Sequence, residues 1–268
     1  LGDDRRGPRR FAPVGLGAVF LTTAEPPPAG AKITGQAYSA ADWQDAALTE
    51  TTFEECVFEN CGFGGADLAG AHFAGCRLLG CGFAHAGLGE AVFKACVFTE
   101  DARKEGVNFA FARLDESRFE DCDLRRARFE GASLYASAFT DCNLTAARFT
   151  RAAFHKVLGR NLVRTAAAFR RCNLGLADLV GVGLAGCDLT ASRLREADLT
   201  RIDLEGADLT GADLFQAILD GAKLAGADLR GAEVSGLDLR RLATYQDLKI
   251  TADQQYRLLD AMGLDVHP

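Results

Sequence analysis

From Trp43 onward, a bulky apolar residue returns at every fifth position. The first run is Trp43, Leu48, Phe53, Phe58, Phe63, Leu68, Phe73, Leu78, Phe83, Leu88, Phe93 and Phe98. A second run goes from Phe109 to Phe154 and a third from Phe169 to Leu239, giving thirty-seven units in all. A period of five fits neither the 3.6 residues of a helical turn nor the alternation of a strand, so the chain has to turn within each unit. Two residues before each bulky centre stands a small side chain, as in Ala66, Ala71, Ala197, Ala207, Ala212 and Ala227. This second column is expected to point inward as well. The pattern predicts a stacked coil in which each repeat leans only on its neighbours.

All nine cysteines fall in the small column: Cys56, Cys61, Cys76, Cys81, Cys96, Cys122, Cys142, Cys172 and Cys187. There they act as slightly enlarged alanines that fill the interior. Their spacings match no zinc pattern and there is no Cys-x-x-Cys, so no metal site is expected. An odd number of buried thiols suits a reducing, cytoplasmic compartment.

The units Ala-Asp-Leu-Thr-Gly (207–211), Ala-Asp-Leu-Arg-Gly (227–231) and Cys-Asn-Leu-Thr-Ala (142–146) resemble the motif of the pentapeptide-repeat family. The resemblance implies an all-β solenoid, a right-handed quadrilateral parallel β-helix with four pentapeptides per turn. About nine turns at the roughly 4.8 Å spacing of paired strands make a rod on the order of 45 Å long. The domain reading is a disordered leader at 1–35, the β-helix at 36–239, and a C-terminal helix and short strand at 240–268. Within the leader, Arg5, Arg6, Arg9 and Arg10 ahead of the apolar run 11–21 loosely imitate a secretory signal, which Pro13 and the glycines weaken.

The period fails twice. Phe98 to Phe109 is eleven residues, one more than two repeats, so 99–108 is expected to leave the tower as a charged loop presenting Glu100, Asp101, Arg103, Lys104 and Glu105. Phe154 to Phe169 keeps phase, but Gly159 and Arg164 stand where bulky centres belong. Segment 155–168 therefore reads as a distorted face or bulge, with Val157 and Leu162 pointing inward and His155, Lys156, Arg160, Asn161 and Arg164 as its polar residues. These breaks are the natural places for partner contact; neutral drift at a tolerant surface is the plainer alternative.

Residues 173–239 carry twelve acidic against five basic side chains, a net of −7 that equals the net charge of the whole chain. Asp188, Asp208 and Asp228 recur at twenty residues and should stack on one face. Asp178, Asp198 and Asp238 fall on another, with Ile218 interrupting. Aspartate at this position satisfies turn backbone, and a rod of regular negative charge also imitates DNA. Such acidity argues against direct binding of nucleic acid.

After Leu239, Thr251 with Gln254 suggests a capping box, Gly263 a helix C-cap, and Tyr256, Leu258, Leu259 and Met262 an apolar face followed by Leu264 and Val266. An open coil end needs such a cover. Here the chain resembles the branch of the family that shields type II topoisomerases, that of the Qnr proteins, MfpA and the albicidin-immunity protein AlbG. That resemblance implies a tail-to-tail homodimer built on these residues. It also implies a DNA-mimicking protein that binds DNA gyrase or topoisomerase IV and confers resistance or self-immunity to a topoisomerase poison. A non-catalytic scaffold for another protein is the alternative. No cofactor is expected and no membrane segment is present in the sequence. The four histidines, His72, His85, His155 and His267, form no catalytic arrangement, so an enzyme is not expected.

Overall fold

In each repeat the bulky centre sits inside and the chain then turns a corner. At the first such corner the Ala46 N–H donates to the Trp43 carbonyl at 3.2 Å, and Asp45 takes a φ of 55°. A positive φ at the third residue is the requirement of a type II turn. The computed structural model describes residues 20–22, 25–100, 105–159 and 162–265.

Four corners close one coil, so residues twenty apart pair in parallel and four faces result. Face A is the column Asp42, Gly62, Gly82, Asn108, Arg128, Arg148, Asp178, Asp198 and Ile218. Face B begins at Ala47, Asp67 and Gly87. Face C holds the strands Lys32–Thr34, Thr52–Glu54, His72–Ala74, Val92–Lys94, Arg118–Glu120, Ser137–Thr140 and Ala167–Arg170. Face D starts with Phe20–Leu21, Ala37–Ser39, Val57–Glu59 and Arg77–Leu79. Its column runs from Ala37 through Val57, Arg77, Val97, Asp123, Asn143, Asn173, Arg193 and Asp213 to Glu233, which is nine steps.

In its first two-thirds the interior carries stacked aromatic rings on faces A and C, with mostly leucine on face B and both leucine and aromatic rings on face D. On face C, Phe53, Phe73, Phe93, Phe119, Phe139 and Phe169 stack with centroids 4.8–4.9 Å apart. Beyond Phe169 the centres are aliphatic and the stack continues as leucine. Each fully buried centre contributes roughly 1.5–3 kcal/mol of transfer free energy, repeated in every unit. The cysteines lie buried as anticipated. Six of them, Cys56, Cys76, Cys96, Cys122, Cys142 and Cys172, form one vertical column of face D.

The tower begins before residue 36. Ile33 and Tyr38 are in the same five-residue phase, Lys32–Thr34 pairs with Thr52–Glu54, and Tyr38 stacks on Phe58 at 5.2 Å. The ladder also continues past Leu239, with Lys223 paired to Thr244 and Asp228 to Lys249. One 3-10 turn, Leu239–Arg241, interrupts it, and only then does the helix α1 (Gln254–Ala261) follow. Helix α1 is eight residues long, and among the described residues no helix is long and apolar enough to cross a membrane.

Candidate interaction surface

Both interruptions prove to be insertions into single steps of the ladder. Gly82 pairs with Asn108, a spacing of twenty-six where twenty is regular, so six extra residues enter one step. The expected two repeats plus one is thus corrected: Val107 takes the small inward position and Thr99 is buried. The entry of the loop is tied down. Arg77 forms an ion pair with Glu100, and the Arg126 guanidinium donates to the Thr99 hydroxyl and the Glu100 carbonyl, each at 3.4 Å. Gly106 leaves by the same route, since a Cβ there would lie 2.3 Å from the Arg126 carbonyl carbon. Glu105 is exposed. Asp101, Arg103 and Lys104 lie outside the described residues.

The second insertion is ten residues, because Ala138 pairs with Ala168. It is a projecting antiparallel hairpin of His155–Gly159 and Leu162–Thr165, and it closes where the Ala166 N–H returns to the Phe154 carbonyl at 3.0 Å. This corrects the expected bulge. Val157 is 66% exposed and points outward, because the hairpin pairs with itself and its side chains have no coil to enter. Lys156 lies over the Tyr135 ring at 5.6 Å, which rests the hairpin on face B. His155 and Arg164 are exposed; Arg160 and Asn161 fall outside the described residues.

The aspartate columns stack as the twenty-residue spacing requires: Asp188, Asp208 and Asp228 on face C, and Asp178 and Asp198 on face A before Ile218. Asp238 instead caps the 3-10 turn, accepting from the Arg240 N–H. Every one of these carboxylates also accepts from the backbone N–H two residues on, at 2.9–3.2 Å, as with Thr190, Thr200 and Thr210. The turn role of aspartate is therefore real. Several are also paired with arginine: Asp188 with Arg170, Asp228 with Arg230 and Asp238 with Arg240.

These partners move the carboxyl pKa values. Burial acts to raise Asp188, but hydrogen bonds from Thr190 and Arg170 outweigh it and hold the group below the usual carboxylate range. The Arg230 guanidinium lowers Asp228, and Arg240 takes Asp238 down to about 2.

The charge along the tower has a feature that the C-terminal count alone missed. Residues 25–100 hold ten acidic and three basic side chains, residues 105–172 eight and twelve, and residues 173–239 twelve and five. The rod is acidic at both ends and basic in the middle, where both insertions enter the ladder. Summing charge over separate windows rather than the last third would have found this in the sequence.

At the C-terminal end, Gln254 is 1% exposed and Leu258 is buried against the last coil. The Thr251 N–H donates to Gln254 Oε1 at 2.7 Å, the reciprocal half of a capping box, while the Thr251 hydroxyl also turns to Oε1. Gly263, at φ 76°, closes the helix: its N–H donates to Asp260, and that of Leu264 to Leu259. This is a Schellman closure. Leu258 therefore serves the cap and is not available to a second subunit. Tyr256 and Leu264 are exposed, Leu259 and Met262 half-buried, and Tyr245 and Ile250 add exposed apolar surface that the helix pattern did not include. Val266 lies outside the described residues.

The family model "Pentapeptide repeats" matches residues 41–79, 105–141, 172–211 and 207–241. Among solved structures, full-length QnrB1, described as a plasmid-mediated fluoroquinolone resistance protein, superposes with a TM-score of 0.69 at 25% identity, covering 87% of this chain and 99% of that one. A trypsin-treated variant of the same protein gives 0.68 at 25% identity, covering 89% and 99%. No curated protein compared by sequence matches.

Proposed function

The chain belongs to the pentapeptide-repeat family, and we propose that it binds a type II topoisomerase and protects it from an antibacterial poison, without catalysing a reaction of its own. DNA gyrase is the first candidate and topoisomerase IV the second; the poison is a quinolone or a natural product, so the outcome is resistance or self-immunity. The observation that carries this reading is the likeness to a fluoroquinolone resistance protein over nearly the whole of both chains.

In this reading the aspartate ladders stand in for phosphates. Successive carboxylates along a column repeat at about 4.8 Å, a regular line of negative charge suited to a basic DNA-binding groove. Arginine pairing at Asp188 and Asp228 thins the charge, which leaves Asp178, Asp198 and Asp208 as the strongest contributors. The basic middle confines mimicry to the acidic ends. A tail-to-tail homodimer through Tyr256, Leu264 and their neighbours would bring two acidic thirds together at its centre, and the protein would act in the cytoplasm alongside its target.

The test is gyrase-mediated DNA cleavage with a panel of poisons, with and without the protein. Two variants accompany it, one shortened by six residues within 99–106 and one lacking the ten-residue hairpin insertion. Suppression of cleavage by wild type, weakened in either variant, is the expected result. No effect on cleavage or supercoiling at any dose would sink the topoisomerase reading and leave the scaffold.

A further inference from the structure

In the central coils the exposed large apolar side chains gather on one face, while Leu21, Tyr245 and Ile250 lie toward the two ends of the tower. Between Lys32 and Arg241, the described residues of this kind outside the hairpin are Phe111, Leu176 and Ile218, at 55%, 58% and 46% exposure. Ile218 lies in the face A column itself. Phe111 is the corner that leaves face A after Asn108, and Leu176 the corner that enters it before Asp178.

Both corners hold their residue in the left-handed region, Phe111 at φ 58° and Leu176 at 59°. Bulky side chains are costly there, and glycine is not. The equivalent corners hold glycine at Gly65, Gly131, Gly181 and Gly221 in the first column and at Gly80 and Gly236 in the second, and polar residues or alanine at the other corners of positive φ, such as Asp45, Arg151, Ala146 and Gln216. The Phe111 ring is braced, not loose. It stacks on His85 at 5.3 Å and 10°, and it overlies Gly131, where a Cβ would sit 2.6 Å from Phe111 Cε1. Large apolar side chains exposed at corners that otherwise carry glycine, alanine or polar residues point to a function other than folding.

Between these anchors, Arg128 and Arg148 stack as neighbours in the face A column and have no ion-pair partner among the described residues. Asp178 pairs with Arg148 as the next step of the column, and Asp198 follows it. A DNA duplex carries phosphate charge of one sign along its length and cannot match a column that reads Arg, Arg, Asp, Asp. A folded protein surface can.

We propose that face A is the surface by which the tower grips its protein partner, with Phe111, Leu176 and Ile218 as apolar anchors around Arg128 and Arg148. The partner presents carboxylates opposite the two arginines and apolar sites opposite the anchors. Buried aromatic and arginine contacts are the usual centres of binding energy at such interfaces. This inference rests on the topoisomerase reading, and it assigns the contact to face A, which also carries Asp178 and Asp198, rather than to the Asp188, Asp208, Asp228 column.

The experiment measures binding of purified gyrase to immobilised wild type, to F111G/L176G/I218D, and to R128E/R148E. The triple variant places glycine and aspartate where the same columns already accept them, so its Tm should equal or exceed that of wild type. Each variant is expected to bind gyrase at least roughly tenfold more weakly. Equal binding by wild type and a folded triple variant overturns the inference and leaves the topoisomerase reading in place. Wild type that fails to bind gyrase removes both. A short DNA duplex is run in parallel: binding that R128E/R148E abolishes would assign the face to nucleic acid, and a concentration-dependent doubling of mass lost in the triple variant would assign it to a second copy. Either outcome overturns the proposal.

Discussion

The side-chain amide of Gln254 donates to the main-chain carbonyl of Leu229 at 2.6 Å, and through the same nitrogen to that of Ala232 at 2.7 Å. In the body of the tower, carbonyls of the inward column accept from the coil above; Ala212, for example, accepts from the Glu233 N–H. At the last coil there is none above Ala232, and one buried glutamine supplies the donor. Its oxygen is engaged in turn by the Thr251 N–H and hydroxyl, so all of its polar capacity is used.

Replacing Gln254 with leucine should therefore cost about 1–3 kcal/mol, because the buried Ala232 carbonyl loses its donor and an unmet group costs about that much, whereas Leu229 keeps the turn N–H of Ala232. Urea unfolding followed by far-ultraviolet circular dichroism checks this. A change within experimental error would mean that water takes the place of the amide and that Leu258 alone seals the end.

The tower was legible because its rule is local. A bulky residue every fifth position can be buried in only one kind of coil, and the column of cysteines follows from the same count. The ends and interruptions were less legible, for physical reasons. Ile33 and Tyr38 obey the phase but sit among polar residues, so the start of the coil is marked by pairing with Thr52–Glu54 and Val57–Glu59 rather than by composition. The hairpin at His155–Thr165 keeps phase because ten residues equal two repeats. A phase count is blind to such an excursion; Gly159 and Arg164 at the expected centres mark the break, and the antiparallel pairing shows what it is. The significance of Phe111 and Leu176 was hidden too, since a corner residue two places after an inward centre looks like any surface position until its φ is known.

The six cysteines of the face D column are expected to be inert toward thiol reagents while the tower is folded. The sulfurs of all but Cys172 reach back to carbonyls of the preceding coil, as with Cys76 to Phe53 at 3.2 Å and Cys122 to Phe93 at 3.3 Å. Burial pushes the Cys96, Cys122 and Cys172 thiols up, and in another column Cys187 is pushed up to about 11 by the same cause. Hydrogen bonds from neighbouring thiols of the column lower Cys76 and, against burial, Cys142 instead, so it is enclosure within the coil that keeps reagents from all six. Ser192 continues the column, its hydroxyl donating to the Phe169 carbonyl at 2.7 Å. Cys122→Ser should accordingly fold with a loss of no more than about 1 kcal/mol. Titration with an aromatic disulfide reagent should register no fast-reacting thiol until denaturant unfolds the coil; rapid modification of one or more would show that the tower opens locally.

Acid should loosen the C-terminal third by a route that the carboxyl pKa values define. Asp188, Asp228 and Asp238 are all depressed by their hydrogen bonds to arginine and to turn N–H groups. A group whose pKa is lower folded than unfolded adds stability above its unfolded value, near 3.9 for aspartate, and the gain disappears as pH falls through the folded value. For Asp238 that value is about 2. Tm should thus hold steady down to about pH 4 and fall between there and about pH 2. The carboxylates are partly covered but their arginine partners are exposed, so salt should shrink the effect by screening the arginines. Asp228→Asn and Asp238→Asn keep an oxygen that can accept the turn N–H but discard the charge. If the double variant shows the same acid-induced fall in Tm as wild type, the loss comes from other groups and the ion pairs at Arg230 and Arg240 are stability-neutral; a flattened profile assigns the acid sensitivity to them.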